Sequence, residues 1–159
     1  MLNLNSIVSP FKPNQIQILA SNGEWSLHDL LPIALSFCGK SSVSVASFSL
    51  SEEAVRTFYF EKEKGSITYL RCLFDYTMRS HKIDLMLFLE NVSNEVRTTP
   101  NHAKIMLIEN DNWNIAIIGS ANLTTNPRLE LYALLINRPE FLEIKNIFES
   151  AWTKAIPYS

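Results

Sequence analysis

Two apolar runs separated by a short polar turn constrain the fold of this chain more than any other feature. Residues 102–108 and 113–118 each have the length of a strand, and residues 110–112 between them (Asn-Asp-Asn) have the composition of a hairpin turn. A third run, residues 131–136, is apolar at almost every position, which predicts a strand in the centre of a sheet. The C-terminal half of the chain therefore supplies neighbouring antiparallel strands.

Strands and helices alternate in the first hundred residues. Alternating or β-branched runs predict strands at residues 15–20, 42–50, 67–74 and 95–97. Apolar residues recur at helical spacing between these runs and again after Pro139, which predicts helices there. Strands that alternate with helices and end in an antiparallel pair predict an α/β fold class, with a mixed β-sheet sandwiched between helices.

The size and composition of the chain predict one domain over residues 1–159. Residues 1–14 are polar and contain two prolines, so we expect an irregular N-terminal arm. The net charge of −2 excludes a strongly basic protein that coats polyanions. No signal peptide and no apolar stretch of membrane-spanning length is present, so we expect no membrane association and a cytoplasmic location.

A histidine and a lysine stand at the head of the first apolar run. His102 and Lys104 are two residues apart, so on a strand they point to the same face. An imidazole can act as a nucleophile or carry a proton near neutral pH, and the ammonium adds a fixed positive charge. The next run ends in Gly-Ser-Ala-Asn, residues 119–122, which adds a hydroxyl and an amide. Together these groups suit one oxyanion, and a phosphate fits best.

The segment HAKIMLIENDNWNIAIIGSANLTTNPRLE resembles the HKD motif of the phospholipase D-like phosphodiesterases, which reads H-x-K, four residues, Asp, and then a hairpin to G-S-x-N. The histidine, the lysine and the whole G-S-x-N element are present. The chain departs from the motif at the acid, where Glu109 stands in place of Asp, and its hairpin is longer than usual. The resemblance implies one phospholipase D-like half-domain, of the type found in single-motif nucleases.

The resemblance also implies the roles of the site residues. His102 is the expected nucleophile, Lys104 the group that neutralises the phosphoryl oxygens, and Glu130 the acid that orients the imidazole. Three further side chains are expected to bind the substrate phosphate: Ser120, Asn122 and Arg128. Glu109 is expected to support the local structure. No metal ion and no cofactor is implied.

The family's active site combines two HKD motifs about a twofold axis, and this chain has one. The resemblance therefore implies a homodimer that pairs His102 with its symmetry mate. The activity it implies is a metal-independent phosphodiesterase, an endonuclease that cleaves DNA or RNA through a phosphohistidine, with DNA favoured over RNA. Two alternatives remain open: a phospholipid phosphodiesterase or phosphatidyl transferase, and a non-catalytic nucleic-acid-binding module that keeps the fold.

Overall fold

The computed structural model describes residues 11–159 and arranges them as one mixed sheet with helices on both faces. Its strands are β1 (Gln15–Ser21), β2 (Ser41–Ser47), β3 (Ile67–Asp75), β4 (Glu95–Thr99), β5 (Ile105–Glu109), β6 (Asn114–Gly119), β7 (Glu130–Ile136) and β8 (Ile156–Pro157). Its helices are α1 (Leu30–Cys38), α2 (Glu52–Glu63), α3 (Met78–His81), α4 (Ile83–Val92) and α5 (Glu140–Lys154), and a short 3₁₀ turn (Leu27–Asp29) precedes α1.

Local signals in the sequence explain why several helices begin and end where they do. Ser51 caps α2, because its side chain accepts a hydrogen bond from the backbone N–H of Ala54 at 3.3 Å. Two acids occupy the first turn of α2, where the positive end of the helix dipole stabilises their negative charges. Gly39 ends α1 with a φ of 81°, a left-handed conformation that other residues adopt only with strain.

The sheet has the order β1-β7-β6-β5-β2-β3-β4-β8. The strands β2, β3 and β4 are parallel, whereas every other pair of neighbours is antiparallel. The predicted fold class, a mixed sheet between helices, is confirmed. The short strand β8 was not predicted, because two residues carry no periodicity.

The prediction of a strand at residues 131–136 is confirmed, but its placement in the centre of the sheet is wrong. The strand β7 lies next to the edge strand β1. Its apolar character has another cause, since it is covered on both faces: Leu134 and Ile136 belong to one core cluster and Leu135 to the other. A continuous apolar run therefore reports coverage on two faces rather than a central position.

Two hydrophobic clusters hold the helices against the sheet. Helices α1, α2 and α4 pack on one face through side chains such as Leu31, Phe58 and Leu89. Helix α5 packs on the other face, where Phe148 and Trp152 contact residues of the central strands. Because helices cover both faces of the sheet, the ends of the strands, where the loops meet, are left for a functional site.

The predicted N-terminal arm falls partly outside the described residues. Residues 11–14 contain no helix or strand, and residues 1–10 lie outside the part of the chain that the structure describes, so the arm stays a prediction. Within residues 11–159, none of the helices combines the length and the hydropathy needed to cross a bilayer.

Candidate active site

His102 and Lys104 lie in an irregular segment, residues 101–104, that leads into β5. The strand predicted over residues 102–108 is therefore wrong at its start, because β5 begins at Ile105. Since neither residue lies in a strand, the alternation of side chains along a strand does not place them on one face. A local fold of the chain brings them together instead: Lys104 Nζ lies 2.8 Å from His102 Nδ1 and donates to the His102 carbonyl oxygen at 2.7 Å.

The two side chains differ in exposure, and the difference affects their chemistry. His102 is exposed, whereas only 8% of Lys104 is accessible to solvent. Burial lowers the pKa of Lys104, although the nearby carboxylate of Glu130 acts in the opposite direction. An ammonium can only donate, so this contact requires Nδ1 of His102 to accept, which a neutral ring does in the tautomer that carries its proton on Nε2.

The Gly-Ser-Ala-Asn segment lies beside this pair because β5 and β6 are antiparallel. Ile105 pairs with Ile118, and the next residue along, Gly119, donates its backbone N–H to the Lys104 carbonyl oxygen at 3.3 Å. Gly119 is required here for space: a Cβ at this position would lie 2.5 Å from the ring of Tyr132 and 2.9 Å from the Leu131 carbonyl oxygen. The glycine thus allows β7 to approach the site closely.

Glu130, at the start of β7, is held by two side chains of the same chain. Ser120 donates a short hydrogen bond to one carboxylate oxygen of Glu130, and Asn126 donates to the other at 3.0 Å. These contacts place Glu130 on the Gly-Ser-Ala-Asn segment and near Lys104, rather than in a hydrogen bond with His102. Its role in orienting the imidazole stays a prediction.

The remaining predicted residues occupy different positions. Asn122 is half-buried, and its Oδ1 lies 3.4 Å from the hydroxyl of Ser47. Arg128 is exposed, on the loop between β6 and β7. Glu109 lies at the opposite end of β5 from Lys104 and pairs with Lys145 of α5 at 2.6 Å. That ion pair ties α5 to β5, and the supporting role of the acid stays a prediction.

A group of residues that the sequence did not predict lies behind His102. Asp75 ends β3 and is buried, and one of its oxygens accepts the backbone N–H of Asn101 at 2.9 Å. Burial acts to raise the pKa of Asp75, but hydrogen bonds from Thr77 and Asn101 and the charge of His102 outweigh it, so the pKa lies below its usual value. The ring of Phe48 lies 5.3 Å from the imidazole. An acid at the end of a predicted strand was the available signal for this group.

No metal centre accompanies these groups in the described part of the chain. Among residues 11–159, no three His, Cys, Asp or Glu side chains come together as a set that could hold a metal ion.

No family model and no curated protein sequence matches this chain. Solved structures do. The phospholipase D family member Nuc from Salmonella typhimurium superposes with a TM-score of 0.73 at 19% identity, over 91% of this chain and 97% of Nuc. This chain has the phospholipase D-like fold.

Two other solved structures also superpose on this chain. NucT from Helicobacter pylori has a TM-score of 0.64 at 17% identity, over 90% of this chain and 99% of NucT. TrmBL2, an archaeal chromatin protein described with a novel mode of DNA binding, has a TM-score of 0.58 at 11% identity, over 96% of this chain and 58% of TrmBL2. At these identities the comparison establishes the fold, and the site has to be argued from its own residues.

Proposed function

We propose that this protein is a metal-independent phosphodiesterase, an endonuclease that cleaves nucleic acid through a phosphohistidine on His102. The observation that carries the proposal is the contact of 2.8 Å between Lys104 Nζ and His102 Nδ1, at the edge of the sheet where β6 delivers the Gly-Ser-Ala-Asn segment. The fold that the chain shares with Nuc supports it. A nucleophile, a cation and two neutral hydrogen-bonding side chains suffice for attack on a phosphodiester.

The contact between Lys104 and His102 suggests how the site is activated. While the ammonium donates to Nδ1, the proton of a neutral ring lies on Nε2, so Nε2 has no lone pair with which to attack phosphorus. A phosphate is a stronger acceptor for a poorly solvated ammonium than an imidazole is. When Lys104 turns to the phosphate, Nδ1 is free to carry the proton and Nε2 presents a lone pair, which is the nucleophilic form.

The reaction needs a neutral imidazole as the nucleophile and an imidazolium as the acid, and therefore two histidines. The first imidazole forms an N–P bond as the P–O bond to the leaving oxygen breaks, and the second, an imidazolium, gives that oxygen a proton and becomes neutral. In the second step water forms a new P–O bond as the N–P bond breaks, and its proton returns to the second imidazole. This chain supplies one such histidine, so we propose that a second copy supplies the other.

An apolar surface next to the site is suited to hold that second copy. The site-edge surface consists of Ile18, Ile105, Ile118, Leu131 and Ala133. Four of these residues form a row in register across β1, β7, β6 and β5. Helix α5 covers the neighbouring part of the same face but leaves Ile18 70% and Leu131 52% exposed. Lys104 lines the same concavity of about 480 Å³, so a partner that covers this surface also meets the site.

The substitution Leu131→Glu tests the dimer. A charge in the centre of the site-edge surface should give a folded monomer without cleavage activity, because its burial against a second copy is unfavourable. Leu142→Glu is the matched control, since Leu142 on α5 is also more than half exposed, at 61%, but is not part of the site-edge surface. Light scattering at micromolar concentration should report a dimer for the wild type and the control. A wild-type monomer that retains activity would contradict the proposal.

Nucleic acid is the proposed substrate because several groups of the site lie where a polymer backbone can reach them. His102, Ser120 and Arg128 are all exposed. DNA is favoured over RNA, since a protein that superposes on this chain, TrmBL2, is described as binding DNA.

The experiment that tests the activity is cleavage of labelled single- and double-stranded DNA and RNA in EDTA. His102→Ala should lower cleavage by at least about a thousandfold, because the nucleophile is lost. His81→Ala, at an exposed histidine on α3, should cleave like the wild type. Cleavage that survives in His102→Ala would reject the proposal. Binding without cleavage would favour the non-catalytic module, and release of a phospholipid headgroup would favour the lipid enzyme.

A further inference from the structure

The irregular segment that carries His102 is tied to the ends of two parallel strands. Asp75 ends β3 and Ser47 ends β2, so both lie at the same edge of the sheet. Asp75 accepts the backbone N–H of Asn101 at 2.9 Å, and the Ser47 carbonyl oxygen accepts the side-chain amide of Asn101 at 3.0 Å. The residue directly before His102 is therefore fixed through its backbone and its side chain.

Asn101 also fixes the residue directly after His102. Its Oδ1 accepts the backbone N–H of Ala103 at 3.1 Å, and its Nδ2 lies 3.3 Å from the Ala103 carbonyl oxygen. These contacts satisfy backbone groups that have no strand partner, because β5 begins only at Ile105. A single side chain thus bridges across His102 and takes the place of a sheet ladder.

Ser47 links this segment to the other half of the site. It is fully buried, and its hydroxyl accepts the backbone N–H of Leu123 at 3.1 Å, directly after Asn122. The same residue therefore holds Asn101 through its carbonyl oxygen and the Gly-Ser-Ala-Asn segment through its side chain. The position of His102 relative to Asn122 is set through Ser47.

We propose that Asn101 is a positioning residue of this site, which holds the imidazole of His102 in register with the Gly-Ser-Ala-Asn segment through Asp75 and Ser47. The proposal rests on the phosphodiesterase function proposed above. A misplacement of about 1 Å in a reacting group costs about a hundredfold in rate, and Asn101 is the side chain that defines the backbone on both sides of the nucleophile. The ionised Asp75 beside His102 adds an electrostatic reason for the same placement.

The substitution Asn101→Ala tests this role, with Thr77→Val as the matched control. Thr77 donates its hydroxyl to the other oxygen of Asp75 at 2.6 Å, so Thr77→Val disturbs the same buried carboxylate without touching the segment that carries His102. We expect Asn101→Ala to lower kcat by about thirtyfold or more with KM within threefold, because misplacement affects the chemical step. Thr77→Val should keep kcat within threefold. If Asn101→Ala does not fold, Asn101→Ser keeps an oxygen that can accept the Ala103 N–H and removes the Nδ2 donor to the carbonyl oxygens of Ser47 and Ala103.

A second readout separates this proposal from the proposed function. Long-range ¹H–¹⁵N spectra of the histidine side chains report the tautomer of His102, whose signals are identified by their loss in His102→Ala. We expect one tautomer, with the proton on Nε2, in the wild type and in Thr77→Val, and a shifted or mixed pattern in Asn101→Ala. An unchanged imidazole spectrum in Asn101→Ala would overturn the positioning role whether or not the protein cleaves a phosphodiester. The positioning role would also be overturned if Asn101→Ala and Thr77→Val lowered kcat equally, or if Asn101→Ala raised KM and left kcat unchanged.

Discussion

The substitution Gly119→Ala should destabilise the fold at the point where the site is assembled. The added Cβ would lie 2.5 Å from Cδ1 and 3.0 Å from Cε1 of Tyr132, and 2.9 Å from the Leu131 carbonyl oxygen. The ring cannot move aside freely, because Tyr132 is buried and packs on Trp25 with ring centroids 4.8 Å apart. Overpacking of this kind costs about 1–3 kcal/mol, and two rigid neighbours place the expected loss in the upper half of that range.

Urea unfolding measures this loss directly. For a domain of this size, about 2–3 kcal/mol corresponds to a fall in Tm of roughly 4–12 °C. Gly65→Ala is the control, since a Cβ there meets nothing within 4 Å and only the φ of 75° costs free energy, about 1–2 kcal/mol. Tyr132→Leu should relieve part of the clash, so the double variant should cost less than the sum of the two single variants. A free energy of unfolding for Gly119→Ala within about 0.5 kcal/mol of the wild-type value would show that the added Cβ is accommodated and would contradict this prediction.

Two further predictions concern pH. Burial lowers the pKa of Lys104, so its ammonium loses a proton at lower pH than a free lysine, and the cleavage rate should begin to fall at a lower alkaline pH than a solvated lysine would give. In a pH–rate profile, Lys104→Arg should shift that fall to higher pH. An unchanged profile in Lys104→Arg would contradict the prediction. Burial also lowers the pKa of His28, against the charges of Asp29 and Glu53. The unfolded chain then binds the proton first, so the free energy of unfolding should fall as pH drops below about 6.5. Urea titrations at several pH values should show a smaller fall for His28→Gln than for the wild type, and parallel falls would argue against the assignment.

Much of the fold followed from local signals in the sequence. The Ser51 cap with its two acids predicted the start of α2, and Gly39 predicted the end of α1. These signals act within one turn of helix, so they can be recognised without knowledge of the tertiary structure. The hairpin of β5 and β6 is likewise local, because four residues, three of them polar, join its strands.

The features that were not predicted correctly depend on contacts between distant parts of the chain. Strand β1 pairs with β7, more than a hundred residues away, and that pairing moved β7 from the expected centre to a position beside the edge. The start of β5 was misjudged because Asn101 takes up backbone groups that a strand would have used. Asp75 is remote from the motif in sequence, and only the parallel pairing of β2, β3 and β4 brings it behind His102.

The measurement that tests the central claim most directly is the chemical state of His102 during turnover. Cleavage of a DNA substrate in EDTA is quenched within milliseconds at alkaline pH, where a phosphoramidate survives, and the protein is digested for mass spectrometry. We expect a nucleotide or phosphate adduct on the peptide that contains His102, and no such adduct in His102→Ala. Substrate cleavage with no adduct on His102, or with an adduct at another residue, would contradict it.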